Sequence, residues 1–477
     1  MHYRGHPFFA CSAPLSRLEM MIGDLVPRRD APIVVLDGGD DGLAEKAASR
    51  LQELNFSNVE ILEGGCAAWK ASGGELFGGV NVPSKAFGEF VEHHYGTPRI
   101  PAAELKKYLA EKKKLVILDS RPFEEYQRMN IPGGIDVPGA ELAWRVHDLA
   151  PDPDTLVVVN CAGRTRSIIG CQSLRNAGIP NQVVALKDGT MGWDLAGYEC
   201  ERGSSRTAAD PSPRARQKAG ELAAQVARRF QVKFISPSEL HEKNRTLYLL
   251  DVRTREEFEK DRVAGARHAP GGQLVQAADE YVGVRNARVV LIDPERVRAV
   301  MTASWLNQMG WPDVYVLESD RGLPRESGPR PPVRFERWQT AGKPEGAVLD
   351  LSTSLRFRRR HVPGAWWGVR SRLADAAKKI SSQTLTLTSE DGVLAHLAAR
   401  EAAQLWQDVK VLEGGNAAWK GEWEPGIARA TTTIDDVWYK PYDHGSDYEK
   451  HAREYLSWEV ALVEQIKREP AIRFKAY

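Results

Sequence analysis

Along this chain, apolar runs of four to six residues alternate with stretches of ten to fifteen residues whose apolar positions recur at helical spacing. Runs such as LVVVN (156–160) and RVVLI (288–292) are apolar on both faces, which suits strands of a parallel sheet covered by helices on each side. The alternation predicts an α/β protein of tandem units of about 100 residues, each a mostly parallel sheet with helices on both faces.

The pattern repeats as phrases. An apolar run ending in Asp opens LVILDSRPFEEY (115–126), LYLLDVRTREEF (247–258) and AVLDLSTSLRF (347–357). A Pro/Gly turn follows, as NIPGGI (130–135), RVAGAR (262–267) and HVPGAW (361–366). An apolar run, a glycine turn and a Trp close ILEGGCAAW (61–69), ALKDGTMGW (185–193) and VLEGGNAAW (411–419), with VLESDRGL (316–323) a decayed copy. Asp119 to Cys161 and Asp251 to Asp293 are both 42 residues, while Cys161 to Gly189 and Asp37 to Gly65 are both 28. The position of Cys161 is therefore taken elsewhere by Asp37, Asp293 and, 39 residues after Asp350, Ser389. Such correlated blocks point to duplication.

This register divides the chain into an incomplete unit without a Cys nucleophile (1–78), a unit carrying the thiol (100–203), a linker with a helix (204–232), a silent third unit (233–326), a degenerate fourth (340–428) and a C-terminal tail (429–477). Leu456, Val460 and Val463 are expected to pack a tail helix against the body. The opening Asp of the first unit would fall before Met1, leaving GHP (5–7) as the remnant of its turn. Either the start codon is placed late or this sheet is completed another way. The segment MHYRGHPFFACSAPL reads as folded sequence rather than a signal peptide, because Pro7 and Pro14 break its apolar patch. The Trp residues of the third phrase (Trp69, Trp193, Trp419) are expected in the core.

Composition narrows the class. With 42% hydrophobic and 27% charged residues, disordered, collagen-like and coiled-coil chains are set aside. Balanced charge, 65 Lys+Arg against 64 Asp+Glu, argues against nucleic-acid or acidic-membrane partners. No stretch approaches the ~20 apolar residues of a membrane span. Five cysteines (Cys11, Cys66, Cys161, Cys171, Cys200) are too few and irregular for a disulfide framework or a C-x2-C zinc site. The odd count fits a reducing, cytoplasmic setting and leaves a thiol for chemistry.

Cys161 is that thiol. It follows the apolar run 156–160 and precedes a helical stretch, in the loop Cys161, Ala162, Gly163, Arg164, Thr165, Arg166, Ser167. Such a loop turns backbone N–H groups inward at the positive end of a helix dipole, so residues 162–167 are expected to bind the substrate, with Arg164 and Arg166 adding charge and Arg166 facing solvent and substrate. Gly163 is expected to take the positive φ of a tight anion nest. The sequence predicts more thiolate than a free thiol carries, beside a pocket for an oxyanion. Thiosulfate offers both an anionic end to bind and an outer sulfur to attack. No metal or organic cofactor is needed. Cys171, among Ile168, Ile169 and Leu174, reads as a core thiol, and the other three cysteines have no comparable loop.

The order D-x-R-x-x-x-E-Y (Asp119, Arg121, Glu125, Tyr126), I-P-G-G, C-A-G-R-T-R-S (161–167) and D-G-x-x-G-W (188–193) resembles the rhodanese sulfurtransferase family, with four rhodanese-type units of which the second keeps the nucleophile. The resemblance implies a two-step transfer. Cys161 takes the outer sulfur of thiosulfate as a persulfide, and an acceptor (cyanide, a thiol or a protein) removes it. Asp119, Arg121 and Glu125 are expected as structural support, since Asp251 and Arg253 stand in a unit lacking the thiol. Cysteine-dependent phosphatases use C-x5-R, whereas here the spacing is C-x4-R with Ser167 at the phosphatase Arg position. Two loop arginines favour an anionic donor over mercaptopyruvate. A second reading is a low-turnover sulfur carrier or docking scaffold built on the silent units, and a homodimer is left open.

Overall fold

The computed structural model describes residues 2–39 and 41–477 and holds three five-stranded, all-parallel sheets with one strand order. In the second unit the order is Arg99–Ile100, Val183–Leu186, Leu156–Asn160, Leu115–Asp119, Ile135–Asp136. The third repeats it with Lys233–Ile235, Val314–Leu317, Arg288–Ile292, Leu247–Asp251 and Arg267–His268. The fourth uses Thr340–Ala341, Asp408–Leu412, Thr384–Thr388, Ala347–Asp350 and Trp366–Trp367. In the first unit, among the described residues, Ile33–Val35 pairs with Val59–Ile61 in a two-stranded parallel sheet. Its bridge His6 to Phe77 matches Asn130 to Glu201 and His361 to Glu424, so the GHP segment stands where the Pro/Gly turns of the second and fourth units stand.

Asp119 pairs with Asn160, Asp251 with Ile292 and Asp350 with Thr388. Cys161, Asp293 and Ser389 thus each begin the loop one residue beyond a central strand. The 156–160 strand is buried on both faces. Val157 and Val159 pack with Phe87, Ile168 and Leu174, whereas Leu156 and Val158 pack with Leu105, Ile117 and Trp193. Removing such side chains from water contributes about 1.5–3 kcal/mol each, which fixes the strand end that positions the thiol.

The second and third units share one apolar core, running from Phe87 and Ile168 to Trp305 and Val316. Polar contacts cross with it. Trp305 Nε1 donates to Ser173 Oγ at 2.8 Å, and Arg298 Nη1 reaches Glu141 Oε1 at 3.1 Å. The linker forms a helix, Pro213–Arg229, capped by Ser212 Oγ accepting from Ala215 N, and it buries Ala219, Ala223, Val226 and Ala227 in that core. Two core expectations need correction. Of the three recurring Trp residues only Trp193 is buried, while Trp69 and Trp419 are half-buried. What recurs is a hydrogen bond from Nε1 to a downstream carbonyl, of Glu75, Glu199 and Glu422 respectively. In the tail helix Val460 is exposed, and the buried positions are Ala452, Glu459 and Leu462.

Asp136, at the sheet edge beside Asp119, has its carboxyl pushed up to about 7 by burial and by the Asp119 charge, and its Oδ1 has no hydrogen-bond partner. A carboxyl raised above its unfolded value holds its proton longer in the native state. Stability therefore falls as pH rises from about 4 to about 7, and the penalty is complete above that window. Asp136→Asn is expected to stabilise the fold at pH 8 by on the order of 2–4 kcal/mol and to do nothing at pH 4. Chemical denaturation at the two pH values measures it.

Candidate active site

Three helices frame the thiol: α1 (Val82–Tyr95), α2 (Thr165–Ala177) and α3 (Tyr448–Ile466). Cys161 is 1% exposed. Its S–H donates to Ser167 Oγ at 3.5 Å, and Ser167 Oγ donates to the Arg164 carbonyl at 2.8 Å. The turn after 183–186 holds the loop from behind. Thr190 donates to the Cys161 carbonyl from its N–H (2.8 Å) and its hydroxyl (2.9 Å), and Met191 N–H donates to the Ala162 carbonyl at 2.9 Å. Below the loop, Arg121 grips Asp119 with two bonds of 2.8 and 2.7 Å, and Asn160 Nδ2 donates to Asp119 at 3.0 Å. Arg253 grips Asp251 in the same way in the silent third unit.

The silent units show what such a loop binds. Asp293 Oδ2 accepts from the N–H groups of Arg298 (2.8 Å) and Ala299 (3.4 Å), and Oδ1 accepts from the Arg298 guanidinium at 2.9 Å. Asp37 accepts from the N–H groups of Gly39, Leu43 and Ala44 at 2.9–3.0 Å, and Ser389 Oγ accepts from Ala395 N–H at 3.2 Å. The Asp37 and Asp293 loops each cradle their own carboxylate, and the fourth-unit loop turns one N–H onto the Ser389 hydroxyl. In the register of the third unit, the N–H groups of Arg166 and Ser167 and the Arg166 guanidinium are the corresponding donors around Cys161.

Side chains of the loop depart from the sequence reading in three places. Arg164 does not face substrate. It is buried against α1, with Glu89 at 2.7 and 2.6 Å, Glu92 at 2.5 Å and Asp188 at 3.2 Å, so its charge is spent inside the protein. Arg166 does not face solvent. It pairs with Glu125 at 2.7 Å and Gln273 of the third unit at 3.3 Å, as Arg298 pairs with Glu257. Burial opposes its charge, but Glu125 and the Cys161 thiol raise its value above the ordinary one. Glu125 in turn is held well below the carboxylate range, against burial, by Arg166 and Lys440. Gly163 lacks a positive φ. It is needed for space, because a Cβ there would sit 3.3 Å from Tyr455 Cε1 and from Glu459 Oε2. Thr165 turns its hydroxyl to Glu459 at 3.1 Å.

Residues outside the repeat complete the site, and sequence reasoning missed them. Tyr442 donates its hydroxyl to the Ala162 carbonyl at 3.5 Å, and Lys440 meets Glu125 at 3.3 Å. Tyr455 and Glu459, one turn apart on α3, lie against the loop, with Lys85 of α1 at 3.1 Å from Glu459. Burial raises both phenols well above their ordinary values, so each stays a neutral O–H donor. The signal was a tail rich in Tyr and Trp (438–458), unlike a solvated linker.

The Rhodanese-like domain profile matches residues 101–196 and 236–320. The crystal structure of a thiosulfate sulfurtransferase from Pseudomonas aeruginosa superposes with a TM-score of 0.94 at 46% identity, covering 99% of this chain and 94% of that one. The chain belongs to the rhodanese family. Over its full length it is built as a rhodanese-type sulfurtransferase. Among curated proteins, the HTH-type transcriptional regulator Rv0324 of Mycobacterium tuberculosis is 36% identical over 111 residues, 23% of this chain. That match spans 48% of the relative's length. The putative sulfur carrier protein YrkF of Bacillus subtilis is 24% identical over 134 residues, 26% of this chain and 71% of that protein. Rhodanese-type geometry here comprises one cradle with a thiol and three that fill themselves.

Proposed function

We propose that the protein transfers sulfane sulfur from thiosulfate to a thiophilic acceptor through a persulfide on Cys161. The thiolate attacks the outer sulfur of thiosulfate, the S–S bond of the donor breaks, and its electron pair leaves with sulfite. The Cys161 persulfide then passes its outer sulfur to cyanide or a thiol, returning the thiolate. The observation that carries this reading is the Asp293 carboxylate, which marks an anion position served by two N–H groups and one guanidinium. The same donors around Cys161 would hold the sulfonate-like end of thiosulfate. The mass of the protein after incubation with thiosulfate tests it. A gain of one sulfur, lost on adding cyanide and mapped to the peptide carrying Cys161, is expected, and an unchanged mass would end the reading.

The division of the chain at 1–78, 100–203, 204–232, 233–326, 340–428 and 429–477 is proposed as a division of labour, with chemistry in the second unit and support in the others. All five cysteines are unpaired, which supports a reducing, cytoplasmic setting.

Arg166→Ala is expected to raise the KM for thiosulfate roughly ten- to a hundredfold, the loss of one charged hydrogen bond of about 1.5–3 kcal/mol. It should also lower stability, because Glu125 would keep only Lys440. Arg166→Lys, charged but without the planar fork, should fall between. Steady-state kinetics and melting curves on the three proteins read both effects.

A further inference from the structure

The segment between the fourth unit and α3 crosses over the thiol loop, and it is fastened at both ends. On the fourth unit, Asp435 pairs with Arg372 at 2.6 Å. Asp436 accepts from the backbone N–H (2.9 Å) and hydroxyl (2.5 Å) of Ser354. Tyr439 donates to the same hydroxyl at 3.0 Å. On the second unit, Lys440 reaches Glu125 and Tyr442 reaches the Ala162 carbonyl. Arg128 lies 3.6 Å from Asp443 and holds its guanidinium 5.6 Å from the Tyr442 ring. The chain then enters α3, which packs along α1 and sets Tyr455 and Glu459 on Gly163 and Thr165.

From this geometry we infer that the fourth unit, which has no thiol, serves as the anchor of an active-site cover, and that the cover restricts sulfur acceptors to small molecules. The inference rests on the reading of Cys161 as the sulfur-carrying thiol and adds the acceptor class to it. Two observations support it. Cys161 is 1% exposed although its loop lies at a sheet end, where rhodanese-type chemistry needs access. Tyr442 and Tyr455, both from the tail, lie close enough to feel the Cys161 charge, alongside Arg166 and Ser167 of the second unit. A protein thiol, carried on a folded surface, cannot bring its sulfur to Cys161 while Tyr442 and Tyr455 occupy the approach. A two-atom anion or a small thiol needs only a brief opening of one side chain. Asp435 and Asp436 act through the strap and are positioning residues. Tyr442 is the specificity-determining one.

The test compares wild type with Asp435→Ala/Asp436→Ala, which loosens this segment at its far end by removing its two carboxylate fastenings to the fourth unit, and with Tyr442→Ala, which trims the cover alone. Alkylation of the Cys161 peptide by iodoacetamide and by fluorescein maleimide is measured, each normalised to its rate with glutathione. In wild type the bulky reagent should lag about a hundredfold, and each variant should narrow that gap about tenfold. After thiosulfate loading, the wild-type persulfide should pass to cyanide but not to reduced thioredoxin. The anchor variant should gain transfer to thioredoxin while its cyanide rate stays within about threefold. Equal normalised alkylation by both reagents in wild type, a gap unchanged in both variants, or ready wild-type transfer to thioredoxin would overturn the cover. Failure of thiosulfate to load Cys161 would instead remove the sulfur-transfer reading, while the alkylation ratio still decides whether the tail screens the thiol.

Discussion

Cys161→Ala is expected to lower thiosulfate:cyanide turnover about a thousandfold or more, to the level of the uncatalysed reaction, while the melting curve stays close to wild type. No other cysteine can replace it. Burial pushes Cys171 and Cys11 up to about 12 and Cys200 up to about 11, and Cys66 is raised by burial and by the Asp37 carboxylate beside it. None of the four follows a central strand into a helix, so none has N–H groups converging on its sulfur. Thiocyanate formation measures the loss, and substantial residual turnover would refute a single-thiol mechanism.

The second large effect is expected at Gly189, which never touches the sulfur. It has φ +55, and a Cβ there would lie 2.4 Å from the Cys161 carbonyl oxygen and 2.7 Å from that of Gly163. Gly65 and Gly415 meet the carbonyls of Asp37 and Ser389 in the same way, at 2.5 and 2.4 Å. Gly189→Ala must push the loop away from the turn, and displacing a nucleophile by about 1 Å commonly costs on the order of a hundredfold in rate. The left-handed φ adds about 1–2 kcal/mol of strain. Gly178→Ala is the control. It has φ +78, but nothing stands within 4 Å of its Cβ, so it carries the strain without the collision. Comparing kcat/KM and melting temperature of the two variants separates loop displacement from backbone strain. Equal activity in both would show that the contact at Gly189 is slack.

Sequence made the unit architecture legible because each strand–loop–helix phrase has its own periodicity and recurs at fixed spacing. Asp37, Asp293 and Ser389 could be aligned with Cys161 by counting, and hydrogen bonds at those positions follow the count. Charge was harder to read. Arg164 looked like a substrate cation because its partners Glu89 and Glu92 lie on α1, a helix outside the repeated pattern. Gly163 was read through backbone freedom, whereas its need is room for Tyr455, a residue almost three hundred positions away. Contacts of that range leave no trace in local periodicity. Burial of Glu459 was equally hidden, since a carboxylate on a helix normally marks the wet face.

The oxygen atoms lodged in the three silent cradles also determine how the molecule answers to its surroundings. Free anions stabilise a folded protein by mass action, about 2.7 kcal/mol at a hundredfold excess over Kd, but only where a vacancy exists for them in the native state. Asp37, Asp293 and Ser389 act as tethered ligands whose local concentration no dissolved ion matches, so these loops stay saturated at any salt composition. The loop that carries a sulfur in place of a side-chain oxygen is the one at Cys161. Among these four loops, anion-linked stabilisation should therefore have a stoichiometry of one, making the melting temperature a gauge of occupancy at a single thiol.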